Sequence, residues 1–146
     1  MAEHRISRSV VIDAPADKIF DIIADPRRHA EIDGSGTVQE LVDGPDRLGP
    51  GDRFGMAMRI RVGYKMANRV VEFEENRLLA WRHIGPHRWR WELEPLADGS
   101  TRVTETFDYS GPTAALYMLG GAPQRNARSI ERTLPRLKAI AENPAD

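Results

Sequence analysis

The stretch "RWRWELEPLADGSTRVTETFDY", which runs from Arg88 to Tyr109, predicts a β-hairpin and decides the fold. Residue character alternates along both arms, as in half-buried strands, and "LADGS" between them is typical of a turn. Pairing Arg88 with Asp108 also places Glu94 opposite Arg102, so that two opposite-charge pairs share one face. A slip of one residue would mix charges with apolar partners throughout. The other face pairs Trp89 with Phe107, Trp91 with Glu105, and Leu93 with Val103.

The strands before this hairpin can be registered in the same way. A two-residue turn at Glu75-Asn76 pairs Val70 with Trp81, and a turn around Gly85-Pro86 pairs Trp81 with Trp91. Aromatic and methionine side chains then collect on one face with a few polar groups, as in the wall of a small-molecule site. A packed core without a cavity is the alternative. We call the predicted ligand-binding residues the inner-face set: Phe54, Met56, Met58, Tyr64, Met66, Asn68, Trp81, Trp89, Trp91, Phe107 and Tyr109.

The rest of the chain shows further strand and helix patterns. "RISRSVVID" (5–13) alternates as a strand, and a helix from Pro15 to about Ala24 follows, because Asp25-Pro26 stops it there. "RRHAEI" predicts a second short helix, and "TVQELVD" predicts a short strand after the loop "DGSG". Five more strands are predicted at about 52–60, 63–74, 78–84, 87–95 and 101–109.

The C-terminal region predicts one long amphipathic helix. Its apolar stripe has helical spacing, and Pro135 lies inside it. Because runs of adjacent strands imply antiparallel hairpins, we predict an α+β chain whose long helix covers one face of a strongly curved sheet. The stripe consists of Ala127, Ile130, Leu134, Leu137 and Ala141.

The composition of the chain excludes several classes of function and site. The 146 residues suit one domain, and the formal net charge of -1 provides no global field for nucleic acid or anionic membranes. The absence of cysteine excludes disulfides, thiolate nucleophiles and cysteine-based zinc sites. No apolar run has the length of a signal peptide or approaches the roughly 18 residues of a membrane span. We therefore expect a cytoplasmic protein.

"VVIDAPADKIFDIIADPRRH" (10–29) resembles the N-terminal signature of the START-like superfamily, also called SRPBCC. This superfamily includes birch-pollen-allergen-like proteins and bacterial polyketide cyclase/dehydrase proteins. The strand order and the C-terminal "SIERTLPRLKAIAE" match the same pattern. The resemblance implies one START-like domain over residues 1–146 with a helix-grip fold. In that fold a seven-stranded curved antiparallel sheet wraps around a long C-terminal helix, and two short helices follow strand 1.

Members of this superfamily bind lipids, sterols, polyketides or hormones, and some catalyse cyclisation or dehydration. They share no catalytic motif, so the resemblance assigns no catalytic role to any residue. Many relatives carry an aromatic residue, often Trp, shortly after the Asp-Pro step. Here the chain offers Ile32, followed by the loop "DGSG" (33–36), which we expect to lie near a cavity mouth and to permit opening.

Glu105 and His83 are the candidate catalytic residues. An inward carboxylate beside Trp91 would have a raised pKa and could act as an acid or a base. His83 could donate to a ligand carbonyl or relay a proton. The alternatives are that Glu105 pairs locally with Arg82 or Arg61, and that His83 is a structural wall residue. The predicted registers place the two candidates too far apart for a dyad, although they could bracket one ligand.

Several other chemistries are disfavoured by the pattern. The Arg side chains of "RWRW" point away from the Trp side chains, whereas a platform for stacking bases needs both on one exposed face. His83 and His87 fall on opposite faces, so we predict no metal site. No glycine-rich phosphate loop is present, and we predict no cofactor.

Three functions fit these observations. The first is binding of a small hydrophobic molecule (a lipid, polyketide or similar) between the sheet and the C-terminal helix. The second is a polyketide cyclase/dehydratase-like enzyme that uses Glu105 and His83 as acid and base. The third is a regulatory or interaction module with a vestigial cavity, acting through the polar face of the last helix or through the edge of the sheet. That face carries Arg125, Arg128, Arg132 and Arg136.

Overall fold

A computed structural model describes residues 5–36, 38–59, 62–82, 88–109, 119 and 121–143. The strands are β1 Arg5–Ile12, β2 Val38–Asp43, β3 Arg53–Arg59, β4 Gly63–Glu74, β5 Leu78–Arg82, β6 Arg88–Pro95 and β7 Thr101–Asp108. The helical segments are α1 Ala16–Ile23, a 3-10 turn at Pro26–Arg28, α2 His29–Ile32 and α3 Ala122–Glu142. The predicted order of strand, helix pair, strands and long helix is therefore confirmed.

Local sequence explains the helix pair that follows β1. Pro15 is the N-cap of α1, and Asp17 lies in the first turn, where a negative charge interacts favourably with the helix dipole. The carboxylate of Asp25 accepts a hydrogen bond from the backbone N–H of Arg27 at 3.0 Å and so caps the 3-10 turn. The buried side chains of α1 are those of Ile19, Phe20, Ile22 and Ile23.

The strands form a seven-stranded antiparallel sheet in the order β1-β7-β6-β5-β4-β3-β2. α3 packs against β1 and β7, and α1 packs against both α3 and β6. The molecule therefore has the predicted α+β helix-grip architecture, with a curved sheet around the C-terminal helix. Its core lies between the inner face of the sheet and the helices.

α3 presents its apolar stripe to the sheet, as predicted. Four members of the stripe are buried, whereas Ala127 is half-buried. Pro135 lies inside the helix on its exposed side, and the four arginines of the polar face are also exposed. No helix in the described part of the chain is both long and apolar enough to cross a membrane.

The edge strand β1 is covered by side chains of α3. The carboxylate of Glu142 accepts a hydrogen bond from the backbone N–H of Asp13 at 2.8 Å. The Lys138 ammonium donates to the carbonyl oxygen of Val11 at 3.1 Å. Since an exposed edge strand can pair with other chains, these contacts protect the edge while they attach the helix to the sheet.

The predicted register of β6 and β7 is confirmed along the whole ladder, from Arg88 opposite Asp108 to Pro95 opposite Thr101. Glu94 accepts a hydrogen bond from Arg102 at 2.7 Å, as its position predicts. Arg88 and Asp108 face each other but form their ion pairs elsewhere. Arg88 pairs with Glu72 at 3.2 Å, and Asp108 pairs with Arg5 at 3.2 Å.

The predicted two-residue turn between β4 and β5 is wrong. The turn contains three residues, 75–77, and Asn76 adopts a left-handed conformation with φ 64°. Asn tolerates this conformation better than most residues do. A β-bulge between Val70 and Glu72 absorbs the additional residue, so Val70 still faces Trp81 as predicted.

The predicted pairing of β5 with β6 is wrong by two residues. Trp81 faces Trp89, and Leu79 faces Trp91. A slip of two residues leaves every side chain on its face, so the alternation of the sequence cannot distinguish the two registers. Only the connecting turn decides between them, and residues 83–87 lie outside the described part of the chain.

Gly34 fixes the loop after α2 against the long helix. Its backbone N–H donates to the hydroxyl of Thr133 at 2.8 Å. A Cβ atom at this position would lie 2.5 Å from the carbonyl oxygen of Ser129 and 2.6 Å from the backbone nitrogen of Thr133. Glycine therefore permits a close approach of the loop to α3. The expected role of the glycines in opening the loop stays a prediction.

We expect Gly34→Ala to destabilise the protein by about 1–3 kcal/mol, because the added methyl group overpacks a contact with helix backbone. Gly63→Ala is the control, since its nearest neighbour would be the Met58 carbonyl oxygen at 3.9 Å. Urea denaturation at constant pH measures both free energies of unfolding. Equal stabilities of the two variants would contradict the close-approach role of Gly34.

Candidate functional site

Glu105 and Trp91 form the centre of the candidate site. They face each other across β7 and β6, on the side of the sheet that α3 covers. Only 5% of Glu105 and 2% of Trp91 is exposed to solvent. Among the described residues, neither Glu105 Oε1 nor Trp91 Nε1 has a hydrogen-bond partner. Buried polar atoms almost always have partners, so this pair is an exception that needs an explanation.

Among the residues that the structure describes, no cation pairs with Glu105. Arg8 faces Glu105 from β1, but its guanidinium extends to Glu131 of α3, with Nε 3.2 Å from the carboxylate. The charged group that acts on Glu105 within the described part of the chain is Asp33, which is also acidic. Burial, and secondarily the charge of Asp33, raises the pKa of Glu105 from 4.5 to about 8. The carboxyl group is therefore mainly protonated at pH 7.

Asp33 lies at the end of α2, and its carboxylate organises the loop that follows. It accepts hydrogen bonds from the backbone N–H of Ser35 and the backbone N–H of Val38, each at 3.0 Å. The guanidinium of Arg136 on α3 donates to the Asp33 carbonyl oxygen at 2.7 Å. The sequence analysis did not identify Asp33 as a site residue, because only the fold brings this loop close to β7.

A cluster of three rings lines another part of the inner face. His29 stacks on Trp81 at 5.0 Å between ring centroids, and Phe54 meets both rings edge-on at 5.7 Å. His29 Nε2–H donates to the Ile23 carbonyl oxygen at 2.8 Å. Burial lowers the pKa of His29, so the ring is neutral at pH 7. The sequence analysis missed His29, although a ring soon after the Asp-Pro step was the available signal.

The aromatic residues on β6 and β7 form a second cluster. Trp89 and Phe107 contact each other with centroids 4.9 Å apart, and Phe107 stacks with Tyr109 at 5.6 Å. Phe107 and Tyr109 are buried, and Trp89 is half-buried. The inner face at this end of the sheet is therefore built from rings, as the alternation of the opening hairpin predicted.

The methionines and Asn68 occupy the inner face of β3 and β4. Met56 is buried opposite Met66, and Met58 and Met66 are half-buried. The side-chain amide of Asn68 donates to the Met66 carbonyl oxygen at 3.2 Å and to the Phe54 carbonyl oxygen at 3.5 Å. Asn68 is thus bonded within its own hairpin.

Two predicted site residues cannot be assigned contacts. His83 lies outside the described part of the chain, and with it the predicted bracket of His83 and Glu105. Tyr64 faces Met58 in the ladder of β4 and β3, but its side chain is likewise outside the description. Of the two proposed local partners of Glu105, Arg82 is exposed and faces Arg88, and Arg61 lies outside the described part of the chain.

The outer face of the sheet has a different character. A groove of about 390 Å³ lies there across β5, β6 and β7, and Glu74, Arg90, Glu94 and Arg102 are among its lining residues. This charged lining does not suit an apolar ligand, so we place the candidate site on the inner face. Within the described ranges no three histidine, aspartate or glutamate side chains are grouped so that they could hold a metal ion.

The sequence profile of the family described as polyketide cyclase / dehydrase and lipid transport matches residues 3–142. The uncharacterized protein Rv0088 of Mycobacterium tuberculosis is 45% identical over 139 residues, which are 91% of this chain and 62% of that protein. The chain therefore spans less than two thirds of that relative's length.

Two solved structures show the same fold. Protein NE0264 from Nitrosomonas europaea superposes with a TM-score of 0.69 and 17% identity, covering 97% of this chain and 96% of that chain. The Polyketide_cyc-like protein Cgl2372 from Corynebacterium glutamicum superposes with a TM-score of 0.64 and 18% identity, covering 97% and 93% respectively. At these identities the likeness is informative about the fold alone.

The raised pKa of Glu105 predicts how stability depends on pH. The folded protein retains a proton that the unfolded chain releases above pH 4.5. The stabilising effect of protonated Glu105 is therefore complete below pH 4.5 and is lost as the pH rises to about 8. Between these values each pH unit lowers the free energy of unfolding by about 1.4 kcal/mol. Glu105→Gln should remove this contribution.

Urea denaturation of wild type and variant at several pH values between 5 and 8 measures the difference. Taking the difference between proteins cancels the titration of other groups, including His29. Glu94→Gln is the matched control, because it removes an exposed carboxylate on the outer face of β6. Parallel stability curves for wild type and Glu105→Gln would show that Glu105 titrates normally.

Proposed function

Because the chain belongs to the polyketide cyclase / dehydrase and lipid transport family, we propose that it binds a small hydrophobic molecule between the inner face of the sheet and α3. Family and fold together indicate hydrophobic-ligand binding. The observation that carries the proposal here is the pair of buried, unpartnered polar atoms on Trp91 and Glu105. A core packed for stability alone rarely buries two such atoms side by side without protein partners, since each lost hydrogen bond costs about 1–3 kcal/mol.

The inner-face set supports the same proposal. Apolar walls with few polar groups are typical of small-molecule sites, and the methionines of β3 and β4 can adapt to different ligand shapes. Met66 and Trp89 are half-buried, so the face is not completely closed by protein. We assign the walls of the site to the inner-face set and its polar centre to Trp91 and Glu105.

A second candidate is an enzyme of the cyclase/dehydratase kind. The observation that favours it is the raised pKa of Glu105, since an acid with a pKa of about 8 can deliver a proton at neutral pH. His83 would be its partner in that reaction. Glu105→Gln distinguishes the two functions: it abolishes turnover of a bound substrate in an enzyme, and it leaves the function of a carrier intact.

Binding of the neutral fluorescent probe N-phenyl-1-naphthylamine tests the first proposal. We expect Met66→Trp to weaken binding about tenfold or more, a change of at least about 1.4 kcal/mol, because the larger side chain fills space on the inner face. Ala67→Trp is the matched control, since the neighbouring residue is exposed on the other face of the same strand.

Fluorescence titration at constant pH measures both affinities, and circular dichroism verifies that both variants fold. Equal affinity of the two variants would place the probe away from the inner face. If the wild-type protein binds no apolar probe, the ligand-binding proposal fails and the interaction module with a vestigial cavity takes its place.

A further inference from the structure

The chemistry of the two unpartnered atoms restricts what can bind them. An indole nitrogen carries one N–H and can only donate, so the partner of Trp91 Nε1 must be an acceptor. A protonated carboxyl group both donates and accepts, so Glu105 tolerates either kind of partner. Since the two residues are directly opposite in the ladder, their side chains start about 5 Å apart and can contact the same ligand atom.

The charges near this pair restrict the ligand further. Among the described residues, Asp33 is the charged group that acts on Glu105, and Arg8, which faces Glu105 from β1, is paired with Glu131. An anionic head group would therefore be repelled without compensation. A ligand cation has no acceptor to offer Trp91 Nε1. The environment thus favours an uncharged acceptor.

We propose that Trp91 and Glu105 together bind one uncharged oxygen, a ketone carbonyl or a hydroxyl, on the otherwise apolar ligand. This inference rests on the proposed function, because it assumes that a ligand enters the inner face. A carbonyl oxygen accepts from the indole N–H and from the protonated carboxyl group. A hydroxyl accepts from the indole and donates to the carboxyl. Either oxygen satisfies both buried atoms with one contact point.

Four naphthalene probes, each competing with N-phenyl-1-naphthylamine, test the inference. They are the ketone 2-acetylnaphthalene, the alcohol 1-(2-naphthyl)ethanol, the hydrocarbon 2-ethylnaphthalene and the carboxylate form of 2-naphthylacetic acid. At pH 6.5 we expect Trp91→Phe to weaken the ketone and the alcohol about tenfold, because the variant retains a ring but loses the N–H donor. Binding of 2-ethylnaphthalene should change less than about twofold, since it has no polar atom to lose a partner. The carboxylate should bind more weakly than the ketone.

The pH dependence distinguishes the two kinds of oxygen. Above pH 8 ionised Glu105 can no longer donate, so ketone binding should fall, whereas an alcohol can still donate to the carboxylate. Glu105→Gln should abolish the fall for the ketone, because the amide donates at every pH. Glu94→Gln on the outer face should behave like wild type. Arg8 of β1 and Asp33 of the loop after α2 are the described charged groups nearest in the fold to Glu105, and both are unchanged in the Glu105→Gln variant, so the comparison isolates Glu105.

Each outcome decides the inference. If Trp91→Phe weakens all four probes equally, or none, then the pair does not bind a ligand oxygen, although an apolar site remains. A buried water satisfying the pair would give this result. If the wild-type protein binds none of the probes, the proposed function itself has failed.

Discussion

The pairing of β6 with β7 is the constraint on which the rest of the structure depends. It determines which side chains of these two strands face α3, and therefore which groups make up the inner face. Strict alternation along both strands makes a one-residue slip costly, because it would bury Arg side chains and expose Trp91 and Phe107. β7 also lies between β6 and the edge strand β1, so the same register positions the strand that α3 covers.

The spacing of apolar residues predicted the order of the elements along the chain, the faces of the strands and the long helix. Within the sheet the signal is alternation. It could not predict features that keep the same faces. The pairing of Trp81 with Trp89 differs from the predicted one by two residues and is invisible to alternation. The β-bulge before Glu72 compensates a longer turn, so the predicted pairing is restored only on the far side of the bulge, at Val70 and Arg69.

The candidate site likewise has a part that the sequence could predict and a part that it could not. Trp91 opposite Glu105 was predictable, because the pair lies within one hairpin of known register. The groups that set the state of Glu105 come from elsewhere. Glu131 holds Arg8 across 123 positions of sequence, and Asp33 approaches from a loop after α2. Such contacts depend on how α3 and the loop pack against the sheet, and local sequence patterns do not predict this packing.

Docking of α3 and the chemistry of Glu105 are in turn connected through one loop. Asp33 places a negative charge near Glu105, and the next residue, Gly34, packs directly against the backbone of α3. Ionisation of Glu105 would therefore create a second negative charge near Asp33, in the loop that packs against α3. A bound ligand oxygen that accepts a hydrogen bond from protonated Glu105 would oppose this ionisation. Such a ligand would stabilise the folded protein by mass action, through two buried atoms that have no hydrogen-bond partner among the described residues. Binding and the attachment of the helix are thus expected to strengthen each other.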